Sequence, residues 1–338
     1  MAEKMSEKTY PETMKAVFLE KPGGKLFVKE VSTPVPGPGE VLVKMSAAPV
    51  NPSDLARMRK AEDAAAFIPG IEGSGAVVAA GKGLLPRLWL GKRVACSSEY
   101  TYSGTWAEYM VTKAGKCFPI GSKVDDEQGA MSLVNPLTAI GFFEIARDER
   151  HKAIINNAAA SALGRMVELL GKKHNIPVIN IVRKDEQVRM LKSSGSEHVL
   201  NSSAPDFIDN LARLSNELNA TLLFDSTCGP PLGKMIGALP SGSSVVIYGN
   251  LSGEDNIMIN PRSLIDNDIK IYGFFLGARS KKNGMLKNIL NMREVSRLMS
   301  SDMKIKIQGR FPLEKAQVAV DTYLSDMSSG KVLLVPMV

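Results

Sequence analysis

From about residue 136 the chain alternates short apolar runs with amphipathic stretches, and this rhythm restricts its fold more than any single residue does. KAIINN (152–157) is followed by ALGRMVELLGKKH (162–174), whose apolar residues recur at helical spacing. PVINIVR (177–183), HVLNS (198–202), TLLFDST (221–227), SSVVIYGN (243–250) and IKIYGFFLG (269–277) read as further strands. Helices are expected between them through QVRMLKSSG, near 205–217 and near 231–239. Strands joined by helices run parallel, and a parallel sheet needs cover on both faces. The segment therefore predicts an α/β fold built on a doubly wound parallel sheet.

The first third has a different texture. MKAVFLEK (14–21), KLFVKEVS (25–32), EVLVKMSAAPV (40–50), GSGAVVAAG (73–81), GKRVACSS (91–98) and TWAEYMVT (105–112) read as strands, with PVPGPGE (34–40) as a turn. This predicts a barrel-like β module. Beyond the sheet, a helix near 284–300, a strand KIKIQGRF (304–311), a helix near 313–324 and a strand KVLLVPM (331–337) follow. Residues 1–13, MAEKMSEKTYPET, mix acids and bases without an apolar core and are expected to form a loose tail, unlike a secretory or transit segment. No apolar run reaches the ~18–20 residues needed to span a bilayer, so a cytoplasmic protein without a membrane partner is expected.

The net charge of +7 is spread without a dense basic block, which argues against a nucleic-acid partner. Cys96, Cys117 and Cys228 are odd in number and far apart, so no disulfide framework is expected. His151, His174 and His198 lie at no metal-ligand spacing from them or from one another, and no metal is expected.

The turn between the first parallel strand and its helix reads NNAAASALGR (156–165). In a doubly wound fold this turn faces the phosphates of a dinucleotide, and small residues let the backbone approach them. Ala158, Ser161 and Gly164 take the three small positions. The backbone through Ala162 and Leu163 opens the helix, and Ser161 either donates to phosphate or caps that helix. Arg165 in the first turn suits a nearby anion. The next strand ends in Arg183 and Lys184 where an acid would bind the ribose hydroxyl of NAD, which points to the 2′-phosphate of NADP(H). Asp185 is expected to cap the following helix.

These pieces resemble the medium-chain dehydrogenase/reductase superfamily in its zinc-independent branch. The likeness rests on VNPSD (50–54), PGIEGSGAVVAAG (69–81), GTWAEYMV (104–111), INNAAASALG, GSEHVLN (195–201), FDSTCG (224–229) and SGKVLLV (329–335). It implies a GroES-like β-barrel catalytic domain over 14–135 and 278–338, and a Rossmann domain over 136–277. Zinc-dependent members carry cysteine at Asn51 and histidine at Ile71, so the resemblance implies hydride transfer without a metal. INNAAASALGR followed by INIVRK is most similar to mitochondrial-type 2-enoyl thioester reductases, with Phe275 in place of a tryptophan. A tyrosine expected about eight residues beyond VNPSD is missing, and Glu62 falls near its place.

The resemblance places Asn51 beside the developing oxyanion, unless it merely satisfies its own loop. Tyr100 and Tyr102 are the candidate replacement proton donors. Asn135 and Thr138 would contact nicotinamide at the crossover, and Tyr248, Gly249, Phe274, Phe275 and Leu276 would border it. Tyr248 could equally pack against the barrel. Lys331 either reaches the cofactor or is an exposed strand-start lysine, and Glu72 reads as structural. Three functions are open: NADPH-dependent reduction of a quinone or activated C=C (enal or enone), reduction of a trans-2-enoyl thioester, and a catalytically weak NADPH-binding module. The resemblance also implies a homodimer, with IKIYGFFLG as an edge that pairs two subunits. The acceptor is expected to be a small molecule.

Overall fold

The computed structural model describes residues 10–61, 67–99, 103–254, 256–301 and 303–336. They form two compact units: one runs to Val134 and resumes at Met292, and the other is Asn135–Asn291. The expected tail over 1–13 lies outside the described residues for positions 1–9, and Thr13 already belongs to a strand.

In the first unit, β1 (Thr13–Leu19) and β2 (Leu26–Ser32) form an antiparallel hairpin. A second sheet follows from β3 (Glu40–Pro49), β4 (Glu72–Ala80), β5 (Arg93–Ser97), β6 (Tyr109–Lys113) and β7 (Cys117–Pro119). Between these strands lie α1 (Pro52–Arg59) and α2 (Leu84–Trp89), and α3 (Asp126–Ala130) comes after them. Trp106 is fully buried among Val17, Val50, Phe67 and Val332. Burial of such a side chain contributes on the order of 2–3 kcal/mol.

The second unit begins within α4 (Val134–Asp148) and continues β8 (Ile154–Asn156), α5 (Ala162–His174), β9 (Val178–Val182), α6 (Asp185–Ser193) and β10 (His198–Asn201). Then come α7 (Phe207–Glu217), β11 (Leu222–Asp225), α8 (Pro230–Gly237), β12 (Ser244–Ile247), α9 (Pro261–Asn267) and β13 (Lys270–Gly273). All six strands are parallel in the order β10-β9-β8-β11-β12-β13. This is the doubly wound order, and it reverses between β8 and β11, where ligands bind outside the carboxyl ends of the strands. Phe142 of α4 stacks on Phe224 of β11 at 3.8 Å between centroids, with both rings buried.

α10 (Leu276–Ser300) leads back toward the first unit, broken at Gly284, where φ is 74°. β14 (Ile307–Phe311), α11 (Ala316–Ser325) and β15 (Lys331–Leu334) complete that unit. β15 pairs in parallel with β14 and antiparallel with β3, so the sheet order becomes β14-β15-β3-β4-β5-β7, with β6 on β3.

The parallel strands fall where the apolar runs predict them. The run IKIYGFFLG is a strand only to Gly273, because Leu276 already starts α10. Sequence pattern also misses α1, α2, α3 and α9, which hold 8, 6, 5 and 7 residues, too few to show an apolar period. It misses the longer α4 because that helix is buried along most of its length and shows no polar face.

Candidate functional site

In the Asn135–Asn291 unit, the turn after β8 is small-residued for a geometric reason. Ala158 sits at φ 50°, in the left-handed region, and the Ser161 N–H donates to its carbonyl at 2.9 Å. The Ala159 N–H donates to Ile181 of β9 at 3.1 Å, which fixes the turn to the neighbouring strand. Ser161 is the N-cap of α5, and its Oγ accepts from the Gly164 N–H at 3.0 Å. Of the two roles open to that hydroxyl, the structure shows capping. A Cβ at Gly164 would lie 2.5 Å from the Ala159 carbonyl oxygen, so only glycine lets the helix come this close to the turn.

Asn156 adds a further tie, donating to Gly164 O and to Asn180 Oδ1, both at 3.1 Å. The first N–H groups of a helix lack intrahelical acceptors. The amides at Ala162 and Leu163 therefore lie at a helix start suited to an anion, with Arg165 half-buried one residue beyond Gly164. Burial lowers the pKa of Arg165, and it stays charged.

At the end of β9, Arg183 and Lys184 are exposed. The Arg183 N–H donates to Gln187 Oε1 at 3.2 Å, and its carbonyl accepts from Ser203 Oγ at 3.0 Å. Among the described residues no carboxylate pairs with its guanidinium. Asp185 does not cap α6 as expected. Lys184 holds the N-cap position, and Asp185, the first helical residue, accepts from Asn201 Nδ2 at 2.7 Å. A depression of about 270 Å³ lies beside the loops after β10 and β11, lined by residues including Ser202, Phe207, Pro230 and Lys234.

Past β12, the Tyr248 N–H donates to Asp225 O at 2.9 Å. Its ring meets Phe142 edge-on at 4.9 Å, so within its own unit it packs on the aromatic core, and burial raises its pKa. Phe274 meets the same Phe142 ring at 5.1 Å. Gly249 O accepts from the Cys228 thiol at 3.1 Å, Phe275 is 59% exposed, and Leu276 begins α10. Thr138 is buried on α4 and Asn135 is half-buried near its start.

The other unit holds a buried polar cluster. Asn51 is 1% exposed and its amide is committed on both sides: Nδ2 donates to Glu72 Oε1 at 3.0 Å, and Oδ1 accepts from Lys331 Nζ. Glu72 Oε2 accepts from the N–H groups of Leu133 and Val134 at 3.0 and 2.8 Å. Asp54 accepts from the N–H groups of Asn51 and Ile71, each at 2.8 Å. Lys331 is 2% exposed, donates to Val50 O at 3.3 Å and lies 5.5 Å from the Tyr323 ring centre.

The expectation of an exposed strand-start lysine is thus overturned. Its ammonium has buried acceptors, Val50 O and Asn51 Oδ1, that the pairing of β15 with β3 brings to it. Burial pushes Asp54 up to about 7 and raises Glu72, while the Lys331 charge works the other way. Burial pulls Lys331 down to about 8, against the attraction of Glu72 and Asp54.

The structure brings Ala158 through Arg165 into one turn and links Tyr248 with Phe274 through Phe142. It joins Asn51 to Lys331. Tyr100, Tyr102 and Glu62 lie outside the described residues. Sequence reasoning missed Asp54, Asn157 and Asp225, all buried. The available signal was a polar residue ending an otherwise apolar strand, as in INN and LLFD. Among the described residues, no group of three or more His, Cys, Asp or Glu is arranged to hold a metal ion, and no helix is long and apolar enough to cross a membrane.

Comparison with known proteins agrees with both units. Residues 37–122 match the alcohol dehydrogenase GroES-like domain, and residues 162–291 match the zinc-binding dehydrogenase domain. The chain is 29% identical over 300 residues to the mitochondrial enoyl-[acyl-carrier-protein] reductase of Arabidopsis thaliana, covering 85% of this chain and 78% of that protein. It is 24% identical over 334 residues to the quinone oxidoreductase of Rattus norvegicus, covering 95% and 97%. The solved structure of a candidate NADPH:quinone reductase from Mesorhizobium loti superposes with a TM-score of 0.89 at 32% identity, over 97% of this chain and all of that one. With both domain models matched and a relative of 32% identity aligned over 97% of it, the chain belongs to the medium-chain dehydrogenase/reductase superfamily and is an oxidoreductase of that family.

Proposed function

We propose that the protein is a zinc-independent, NADPH-dependent reductase that transfers hydride to a quinone or an activated C=C bond of an enal or enone. The observation that carries this reading is the basic end of β9. Arg183 is exposed, has no carboxylate partner among the described residues, and follows the strand next to the small-residue turn. A guanidinium there holds a 2′-phosphate, whereas an acid would hold a ribose hydroxyl. The relative from Mesorhizobium loti, named for NADPH and quinone, supports the same choice.

The residues present fit NADP(H). The Gly164 approach leaves room for backbone beside pyrophosphate, and Ser161, Ala162 and Leu163 open a helix toward it. Bound reduced nicotinamide would supply the hydride. The chain's part is to hold the phosphates at Ala158–Arg165 and Arg183–Lys184. Tyr248, Gly249, Phe274, Phe275 and Leu276 would then border the ring, with Asn135 and Thr138 on the crossover helix. Asn51 and Ile71 stand at the zinc-ligand positions of metal-dependent relatives, so charge on the acceptor oxygen must be met by hydrogen bonds. With the Asn51 amide held by Glu72 and Lys331, it acts by shaping the loop at the start of α1. Tyr100 and Tyr102 remain the proposed proton donors.

Arg183→Ala removes a charge-assisted contact worth about 1.5–3 kcal/mol, so NADPH should bind about tenfold to a hundredfold more weakly while NADH is unaffected. Fluorescence titration with both nucleotides checks this, and equal losses would remove Arg183 from 2′-phosphate recognition. NADPH oxidation with an ortho-quinone, a short enal and a trans-2-enoyl-CoA sorts the acceptors.

A second reading, an enoyl thioester reductase, is favoured by the Arabidopsis relative. Exposed Arg59 and Lys60 at the end of α1 could meet the phosphate of its carrier. Turnover confined to the enoyl-CoA would establish it. Tight NADPH binding without turnover by any of the three would leave a binding module. The outer edge of β13 has no strand partner among the described residues, and a second copy pairing there would give the homodimer. Three buried free cysteines suit a reducing, cytoplasmic setting.

A further inference from the structure

At the point where the strand order reverses, one side chain uses all its hydrogen-bonding groups across the gap between β8 and β11. Asn157, 3% exposed, follows β8 and directly precedes the left-handed Ala158. Its Oδ1 accepts from the Ser226 N–H at 2.9 Å and from Ser226 Oγ at 3.2 Å. Its Nδ2 donates to Asp225 Oδ1 and, at 2.9 Å, to Thr227 Oγ1. Its own N–H donates to Phe224 O at 3.3 Å.

The loop it grips is itself held. Asp225, fully buried, accepts from the Cys228 N–H at 2.7 Å and from Thr227 Oγ1 at 3.1 Å. Ser226 O accepts from Leu251 N–H at 2.8 Å, and Thr227 O accepts from Ser252 N–H at 3.0 Å. Through one amide, the turn into α5, the loop after β11 and the loop after β12 become a single hydrogen-bonded frame. An amide suits this place because it offers two donors to oxygen acceptors and a carbonyl to donors. A carboxylate or an alkyl group would leave buried partners unsatisfied.

We propose that Asn157 is a positioning residue for the cofactor: it fixes the left-handed turn at Ala158 and couples it to the loops that border the nicotinamide side. The inference rests on the NADP(H) reading. It is distinct from cofactor choice, because none of the frame's hydrogen bonds involves Arg183 or Lys184.

Three variants test it: Asn157→Ala, Asn157→Asp and Thr227→Val. Each is measured for NADPH and NADH affinity by fluorescence titration at pH 6 and pH 8. Amide hydrogen exchange over 157–165, 226–228 and 248–252 is followed without nucleotide. Asn157→Ala should weaken both nucleotides alike, tenfold to a hundredfold, and speed exchange in all three segments together. Asn157→Asp faces the Asp225 carboxyl with a second one, and two such groups share a proton. Relative to the parent at each pH, its affinity should therefore be higher at pH 6 than at pH 8. Thr227→Val, which keeps the side chain's shape but removes a hydroxyl that accepts from Asn157 and donates to Asp225, should weaken both nucleotides severalfold, and it carries the test if the position-157 variants do not fold.

Parent affinity with parent exchange in Asn157→Ala would overturn the inference. So would a pH response in a folded Asn157→Asp equal to the parent's, or unchanged affinities in Thr227→Val. Failure of the parent protein itself to bind either nucleotide would instead overturn the cofactor reading.

Discussion

Lys331 shows how much one side chain can ask of its surroundings. Three ionisable groups, Asp54, Glu72 and Lys331, share a buried cluster with Asn51, backbone groups and the Tyr323 ring as neutral partners. Removing one member of a buried ionic set leaves the others uncompensated and costs about 3–5 kcal/mol. Lys331→Met should therefore destabilise the protein strongly at pH 8.

The sign of the pH effect follows from the carboxyl groups. Asp54 stands near 7 in the fold against 3.8 when exposed, so the fold binds more protons between those values and loses stability as pH rises through that window. Without the ammonium the carboxyl rises further, and the loss steepens. Urea unfolding at pH 5.5 and pH 8 should show the smaller destabilisation at pH 5.5, and a cost independent of pH would disprove the coupling.

At the scale of elements, α5 is seated by what its first turn lacks. A methyl group at Gly164 would meet the Ala159 carbonyl at 2.5 Å and the Ala159 Cα at 2.6 Å, both backbone atoms that cannot swing away. Gly164→Ala should cost about 1–3 kcal/mol through overpacking, measured by thermal unfolding, and should weaken NADPH because the helix start must retreat from the turn. This element was legible in the sequence, since the apolar spacing in ALGRMVELLGKKH covers the observed helix from Ala162 to His174. The parallel strands were legible as short, mostly apolar runs: VINIV is buried at every position, and Asn180 is its one polar residue. The residues that join elements were not. Lys331 meets Asn51 across 280 positions, and Asn157 meets Asp225 across 68, distances over which no periodicity operates. Asn157 looked like one more small polar residue of a turn, although its neighbours in space give it its role.

For the whole molecule, nucleotide binding should report on one unit. A ligand at about 100 times its Kd adds about 2.7 kcal/mol to the state that binds it. Calorimetry with NADPH should raise the transition that contains Asn135–Asn291, with NADH doing less at equal concentration, and identical shifts would count against the phosphate reading. The discontinuous unit has a further consequence, set by the order in which a ribosome delivers its parts. β15 is the strand that supplies Lys331 and pairs with Ala48 and Pro49 at the end of β3. Some 280 residues separate the two, so at about 5–20 residues per second β3 waits on the order of 14–56 s for its partner. The Asn135–Asn291 segment is continuous and can fold within that interval, ahead of the segment made before it. During that wait the nascent chain presents an unpaired strand end beside the apolar Val50, which makes the newly made protein, far more than the finished one, the natural client of a chaperone.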